Sequence, residues 1–344
     1  MNNSTEVQEQ GNQKPSKKNP IINFVIKVLL PLGLGIAILY FLFKGTDFKE
    51  MWNTLKDANW GILAFSLIFG FVANFIRGYR WRLLITPLGY EPKTSNLILS
   101  FFGNYAVNLA LPRAGELWRC GMVSKEEKIP FSKLFGTLIL DRILDTLTVF
   151  ILILFSIALN VQFFINYFKN NDEKLQSYLE ILSSPLLYVG VFAIIVVIFI
   201  IFRFFKENVI VKKVREFITS MWKDMKTIGH MKEKGRLIIY TIGIWGCYFC
   251  YFYMTFYAFD FTSHLGIKAG LIAFAMSSLS MAVPTNGGMG AWHAAVMASL
   301  MLYGVLEDSA RTFAFGVFAI QNVWVLITGF VAIGIFSVKN RKNK

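Results

Sequence analysis

The chain has 344 residues, 55% of them hydrophobic, 16% aromatic and only 16% charged, with a mean hydropathy of +0.51. A soluble domain of this length needs far less apolar content, so the sequence describes a polytopic membrane protein and leaves no stretch for a soluble catalytic domain. The formal charge of +14 would suggest nucleic acid for a soluble protein; in a membrane protein the placement of the basic residues matters more, and no nucleic-acid partner is expected.

Residues 1–20 carry almost no apolar side chains and are expected to form a disordered cytoplasmic tail. Eight apolar segments follow, at about 21–43, 61–82, 96–112, 133–159, 185–205, 236–259, 267–304 and 311–336. Most come near the ~20 residues that cross ~30 Å of hydrocarbon. The first is too long and too far from the N-terminus for a cleaved signal peptide and reads as a retained span. Lys and Arg number 26 in the tail, 77–96, 113–133, 203–236 and 337–344, against seven in the loops 44–60, 160–184, 259–268 and 305–311; Lys27 and Arg142 lie inside spans. The positive-inside rule puts the first group, and both termini, in the cytoplasm.

With that orientation, 96–112 leaves a cytoplasmic loop and returns to one, so it dips into the membrane and comes back. Segment 267–304 does the same from the outer face and is broken at Pro284-Thr-Asn-Gly-Gly-Met-Gly290. Pro112 and Pro284 lie 172 residues apart, each with a small or amide residue four before it (Asn108, Ser280) and a glycine three after it (Gly115, Gly287). Each half, about 21–160 and 185–336, then reads as span, span, broken hairpin, span. The odd number of crossings makes the halves inverted repeats, with six full spans and two re-entrant hairpins. The alternative is that Pro and Gly, common in membrane helices, broke two segments at matching places by chance.

An ionisable group at the centre of a membrane helix costs ~2.5–3.5 kcal/mol on insertion scales, so each needs a partner or a function. Asp141, Arg142 and Asp145 lie in the run LILDRILDTLTVF. If that helix starts near Ser132, Asp141 stands ~13 Å along it, and Asp141 and Asp145 share a face. Arg113 and Arg119 are their expected neutralisers, with Pro112 and Gly115 as the hinge that turns the backbone at depth. The arginines suit an anionic group such as a lipid phosphate, while Glu116, Asp141 and Asp145 hold them or bind a cation or proton. The alternative is a structural ion network that closes the hairpin and meets no ligand.

Gly287, Gly288 and Gly290 either present backbone amides and a helix start near Ala291 to a phosphate, or only let the hairpin turn. His293 either bonds a headgroup or is a satisfied amphipathic side chain. The series Arg77-Gly-Tyr-Arg80-Trp-Arg82 reads as snorkelling arginines with an aromatic anchor. The stretch 206–235, with Phe217, Met221 and Trp222 at helical spacing and lysines elsewhere, reads as an interfacial amphipathic helix or a basic loop packed under the bundle. Cys120, Cys247 and Cys250 make no disulfide framework and read as core thiols.

Three motifs occur in order: N-x-x-x-N-x-x-L-P-R-A-G-E-x-x-R from Asn104 to Arg119, D-R-x-x-D from Asp141 to Asp145, and P-x-x-G-G-x-G from Pro284 to Gly290. Together they resemble the lysylphosphatidylglycerol synthase transmembrane region, also called the flippase-like domain family, over nearly the whole chain after the tail. The resemblance implies movement of aminoacylated or other phospholipids, or of polyprenyl-linked lipids, between leaflets. It also implies that Arg113, Glu116, Arg119, Asp141, Arg142 and Asp145 fall on the family's polar cluster. The soluble aminoacyl-transfer domain is not among these residues, so lipid lysinylation is not expected to carry over. The family often has Glu at the position of Asp141 and one more residue between Pro and Arg.

The expectation is an all-α protein of the bacterial inner membrane that binds membrane lipids, with no cofactor, no metal and no enzymatic activity. Its candidate substrate-binding residues are Asn104, Asn108, Arg113, Glu116, Arg119, Asp141, Arg142, Asp145, Gly287, Gly288, Gly290 and His293. The alternatives are an H⁺- or Na⁺-coupled transporter of a small anionic solute, an integral membrane enzyme of lipid metabolism, and a scaffold for lipid-synthesis partners. No HExxH, DxD or phosphatase signature supports the enzyme.

Overall fold

The computed structural model describes residues 40, 48–111, 114–162, 165, 219, 233–281, 283, 285 and 288–341, and among them every regular element is a helix. The expected tail 1–20 and the span at 185–205 lie outside these residues, as do all but one residue of the span at 21–43 and most of the helix at 206–235. Pro112, Arg113, Pro284 and Gly287 lie outside them as well.

A short helix α1 (Phe48–Lys56) leads to α2 (Trp60–Ile85). Asn59 starts α2 by accepting the Ile62 N–H on its side-chain oxygen at 3.2 Å, which satisfies one of the orphan donors of the first turn. A 3-10 turn containing Pro87 and the left-handed Gly89 (φ 86°) ends it. Helix α3 (Thr94–Ala110) stops before Pro112, with Leu111 extended at φ −132° and ψ 107°, because the proline ring excludes helical geometry from the residue before it. Helix α4 (Ala114–Glu127) folds back along α3, and α5 (Phe131–Leu159) follows. The second described stretch runs through α6 (Lys234–Tyr253) and a 3-10 extension to Ala258, then α7 (Ile267–Ser280), α8 (Ala291–Leu302) and α9 (Glu307–Arg341).

Among the described residues four helical stretches are long and apolar enough to cross a membrane: Trp60–Leu88, Phe131–Leu159, Lys234–Ala258 and Glu307–Lys339. Helices α3, α4, α7 and α8 have 17, 14, 14 and 12 residues. At 1.5 Å per residue they are ~18–26 Å long, short of the ~30 Å core. They form two helical hairpins, α3–α4 and α7–α8. Helix α3 lies along α9, α7 lies along α5, and α2 and α6 pair along the middle.

Two apolar cores result. One joins Trp81, Leu84 and Ile85 of α2 to Leu97 and Phe101 of α3, Cys120 and Val123 of α4, and Leu134 and Leu138 of α5. The other joins Leu63 of α2 to Phe252, Phe256, Phe274, Val296, Leu300, Phe313 and Val317. Leu63 and Trp81 are ~27 Å apart along one helix, so the two hairpins occupy opposite ends of the bundle. Leu147, Phe150, Ile151 and Leu154 of α5 and Val323, Ile327, Phe330 and Val331 of α9 are exposed, the kind of surface that suits lipid rather than water.

Gly115 is not the hinge that its place after Pro112 suggests. It sits inside α4 with no positive φ, and its lack of a side chain serves close packing instead. A Cβ there would stand 2.1 Å from the backbone oxygen of Asn104 and 2.8 Å from the side-chain oxygen of Asn108, which already accepts the Gly115 N–H. Gly115→Ala should therefore push the two legs apart at a cost of ~1–3 kcal/mol. The thermal midpoint of the purified protein measures this, and an unchanged midpoint would contradict the close approach. Gly288 and Gly290, each at φ 82°, do use glycine's freedom in the turn before α8.

Candidate functional site

Arg77 and Arg80 on α2 are three residues apart, Asp141 and Asp145 on α5 are four apart, and each pair shares a helix face. The two faces meet in the protein interior. Arg80, 0% exposed, donates from Nε and Nη2 to Asp141 Oδ1 at 3.0 and 2.6 Å and from Nη2 to Asp145 Oδ1 at 2.7 Å. Its Nη1 lies 3.4 Å from the Thr241 hydroxyl on α6. Arg77 sets Nη1 2.9 Å from Asp145 Oδ2 and donates from Nε to the Tyr248 hydroxyl at 2.9 Å. That hydroxyl donates to Asn74 Oδ1 at 3.3 Å and lies 3.0 Å from the Tyr105 hydroxyl.

Among the described residues the aspartates pair chiefly with Arg77 and Arg80 of α2, partners not expected from the sequence; the expected neutraliser Arg119 stands 3.8 Å from Asp141, and Arg113 lies outside the described residues. Arg77 and Arg80 do not snorkel: the spacing that separates them puts both on the inner face with Asn74, and α2 continues to Ile85, which leaves them ~7–12 Å inside its end. Arg82 alone of the three is substantially exposed, paired with Glu91 at 2.9 Å.

Arg119 comes from α4 and is 0% exposed. Its guanidinium carbon lies 4.3 Å from the centre of the Trp81 ring and 3.9 Å from that of Phe101. The Trp81 indole is itself fixed by donating to the Thr137 hydroxyl at 2.9 Å. None of the three Arg119 nitrogens has a hydrogen-bond acceptor, and Asp141 Oδ2 stands 3.8 Å from Nη2. The two aromatic faces stabilise the cation, by ~2 kcal/mol when it is desolvated, yet leave its donors unused.

Among the described residues Glu116 makes its ion pair with Arg142 and not with Arg119. It faces Arg142, with Nε 2.9 Å from Oε1, in a half-exposed pair, and Arg142 Nη1 lies 3.8 Å from Asp145 Oδ2. The cluster thus runs from a half-exposed mouth at Glu116 and Arg142 to the fully buried Arg80. Among the described residues four guanidinium groups meet three carboxylates here, leaving one positive charge in excess. Arg113 lies outside those residues. Asn104 is 0% exposed, and neither atom of its amide has a partner. Asn108 is committed to the start of α4.

His293 belongs to the other end. Its Nδ1 accepts the Gly290 N–H at 3.4 Å, and its buried ring lies 4.4 Å from that of Phe318 and 5.7 Å from that of Trp292. The structure therefore joins Glu116, Arg119, Asp141, Arg142 and Asp145 in one cluster and sets Gly288, Gly290 and His293 apart from it. Cys120, Cys247 and Cys250 are unpaired, and Cys120 is fully buried.

Arg77, Arg80, Thr241, Tyr248, Tyr105 and Asn74 are the residues that reading the sequence missed. A signal was present: an R-x-x-R pair on one span is the complement of D-x-x-x-D on another. Drawing the span only to residue 82 made the arginines look terminal.

Fold and cluster together define a polytopic α-helical membrane protein with a buried, arginine-rich polar centre. The chain belongs to the family described as the lysylphosphatidylglycerol synthase TM region, whose profile matches residues 28–329. Glycosyltransferase AglD of Haloferax volcanii is 31% identical over 123 residues, which are 36% of this chain and 19% of that protein. A UPF0104 membrane protein of Methanocaldococcus jannaschii is 29% identical over 132 residues, 38% of each chain. The matched stretches thus span well under half the length of these relatives. No solved structure matches the chain.

Proposed function

We propose that the protein moves a lipid with an anionic headgroup between membrane leaflets: a phospholipid, aminoacylated or not, or a polyprenyl-linked lipid. The observation that carries this reading is Arg119, a fully buried guanidinium held between two aromatic faces with no hydrogen-bond acceptor on any nitrogen. Such donors are costly to leave dry, and their fork matches a phosphate. Arg142 and Glu116 at the half-exposed mouth form the approach, and Arg77, Arg80, Asp141 and Asp145 form the fixed floor.

The packing supports an inverted repeat. Exchanging the two halves carries α3 against α9 onto α7 against α5, the hairpin α3–α4 onto α7–α8, and α4 against α5 onto α8 against α9. The hairpins sit at opposite ends, as entry from opposite leaflets requires. Arg82, Lys93, Lys125, Lys128, Lys133, Lys234, Arg236 and Lys339 lie at the α3–α4 end, against Lys49, Lys56, Lys268 and Arg311 at the other. This charge division favours the first end as cytoplasmic. Single cysteines at Lys125 and Lys339 should then resist an impermeant thiol reagent in intact cells, and those at Asp260 and Asp308 should react. Outside labelling at Lys125 would overturn both the orientation and the re-entrant hairpin.

The Oδ1 atoms of Asp141 and Asp145 both accept from Arg80, and their Oδ2 atoms make no hydrogen bond but face guanidinium groups within 3.8 Å; the surrounding positive charge disfavours a bound Na⁺ and favours a lipid translocase over an ion-coupled solute transporter. An integral membrane enzyme is the second reading, favoured by the relative named a glycosyltransferase. Purified protein in liposomes, given fluorescent anionic lipids and assayed by leaflet, tests the choice. The proposal requires movement with the headgroup unchanged by mass spectrometry. A chemically altered headgroup without movement supports the enzyme instead.

A further inference from the structure

Resting on the reading of this cluster as a headgroup site, we infer that Glu116 and Arg142 form a side-chain gate over Arg119, and that it opens while both helical hairpins stay docked. The hairpins are held at their feet in equivalent ways. Lys339, near the end of α9, donates to Ser95 Oγ and, at 3.3 Å, to Asn96 Oδ1 at the start of α3. Asn96 donates in turn to Glu127 Oε1 at the end of α4 at 2.6 Å, and Glu127 Oε2 accepts the Lys93 N–H at 3.1 Å. At the other end Asn160, just past α5, accepts from the hydroxyl of Tyr303, just past α8, at 3.2 Å, and its amide nitrogen lies 3.5 Å from the Lys268 carbonyl oxygen of α7. Each knot ties both legs of a hairpin to the long helix beside it. Above the first knot the helices touch through glycines: a Cβ on Gly329 of α9 would stand 2.4 Å from that of Ala106, and one on Gly103 of α3 would stand 2.4 Å from the Trp118 ring and 3.0 Å from Ile333. Helices packed this closely do not part by degrees, so an opening hairpin would give up contacts along its whole length.

The charged cluster is looser at its mouth. Arg80 makes three hydrogen bonds to the aspartates. Arg142 Nε stands 2.9 Å from Glu116 Oε1 but makes no hydrogen bond with any described residue, and the two side chains are 37% and 27% exposed. Arg142 also has a second carboxylate oxygen, Asp145 Oδ2, 3.8 Å from Nη1, so it keeps a counter-charge when it leaves Glu116. Glu116 shares a face of α4 with Arg119 and Cys120, three and four residues further on, and both of these are 0% exposed. Parting one half-exposed pair, which contributes little to stability, uncovers that face without moving a helix.

The test has two arms. In a background without the native cysteines, paired cysteines at Ser95 and Lys339, and at Asn160 and Tyr303, are joined by a short, reducible bifunctional thiol reagent in liposomes holding fluorescent phosphatidylglycerol. Lipid movement should continue at the rate of the unjoined protein. An arrest that a reductant reverses would overturn the inference, because a hairpin would then have to part from its long helix. In the second arm Cys247→Ser and Cys250→Ser leave Cys120 as the remaining thiol, and its reaction with methyl methanethiosulfonate is timed, a readout that needs no lipid movement. Glu116→Gln should speed the reaction about fivefold, the scale of losing a half-exposed ion pair. Lys339→Ala, which loosens one foot, should leave the rate unchanged. An unchanged rate in Glu116→Gln, or a faster one in Lys339→Ala, would overturn the gate and leave lipid movement standing. If the protein moves no lipid while Cys120 follows Glu116, the translocase reading fails and the gate stands as the entrance to the buried cluster. If neither is seen, both fail.

Discussion

Arg80→Ala should leave almost no folded protein in the membrane. Arg80 carries three hydrogen bonds to two buried aspartates, and breaking a buried pair from one side costs ~3–5 kcal/mol because the remaining charges stay buried. Stabilities of ~5–15 kcal/mol make that loss decisive. Arg80→Met combined with Asp141→Asn removes a cation and an anion together and should recover most of the folded yield, read by size-exclusion profile and thermal midpoint. A wild-type profile for Arg80→Ala would mean that the aspartates are not neutralised from α2.

Arg119 should behave in the opposite way. It makes no hydrogen bond and its ion pair is long, so Arg119→Leu, which gives up the stacking on Trp81 and Phe101 but relieves a dry guanidinium, should change the midpoint far less than Arg80→Ala while lipid movement falls about 100-fold. That figure corresponds to two charge-assisted bonds to a phosphate at ~1.5 kcal/mol each. Arg119→Lys keeps the charge but loses the planar fork and the stacking between Trp81 and Phe101, so it should fall between the two. The contrast matters because both arginines are fully buried in one cluster: the one with partners serves the fold, and the one without serves the ligand.

The outline of the fold was legible because its causes are local. Pro112 stops α3 and the Gly288–Gly290 turn precedes α8 through backbone sterics that act within a few residues, and apolar runs of span length announce α2, α5, α6 and α9. Asp141 and Asp145 stood out because a carboxylate in an apolar run needs a reason wherever it lies. Their partners were not legible. Which of several arginines meets them depends on how α2 and α5 face each other, a fact set by packing and not by the residues near Arg80. Gly115 misled for a similar reason: beside a proline it looks like a hinge, and only the approach of Asn104 reveals it as a packing surface. His293 and the glycine turn read as part of one site with the arginines, yet they lie in the core at the other end of the bundle.

The claim that Arg119 receives the headgroup is tested most directly by ligand-induced stabilisation. A ligand that binds only the folded protein raises its stability by RT ln(1 + [L]/Kd), ~2.7 kcal/mol at a hundredfold excess over Kd. Short-chain anionic phospholipid should therefore raise the thermal midpoint of wild type by several degrees in a concentration-dependent way, and the same lipid should leave the midpoint of Arg119→Leu unmoved. Equal shifts in the two proteins would show that the lipid binds elsewhere and would contradict the account.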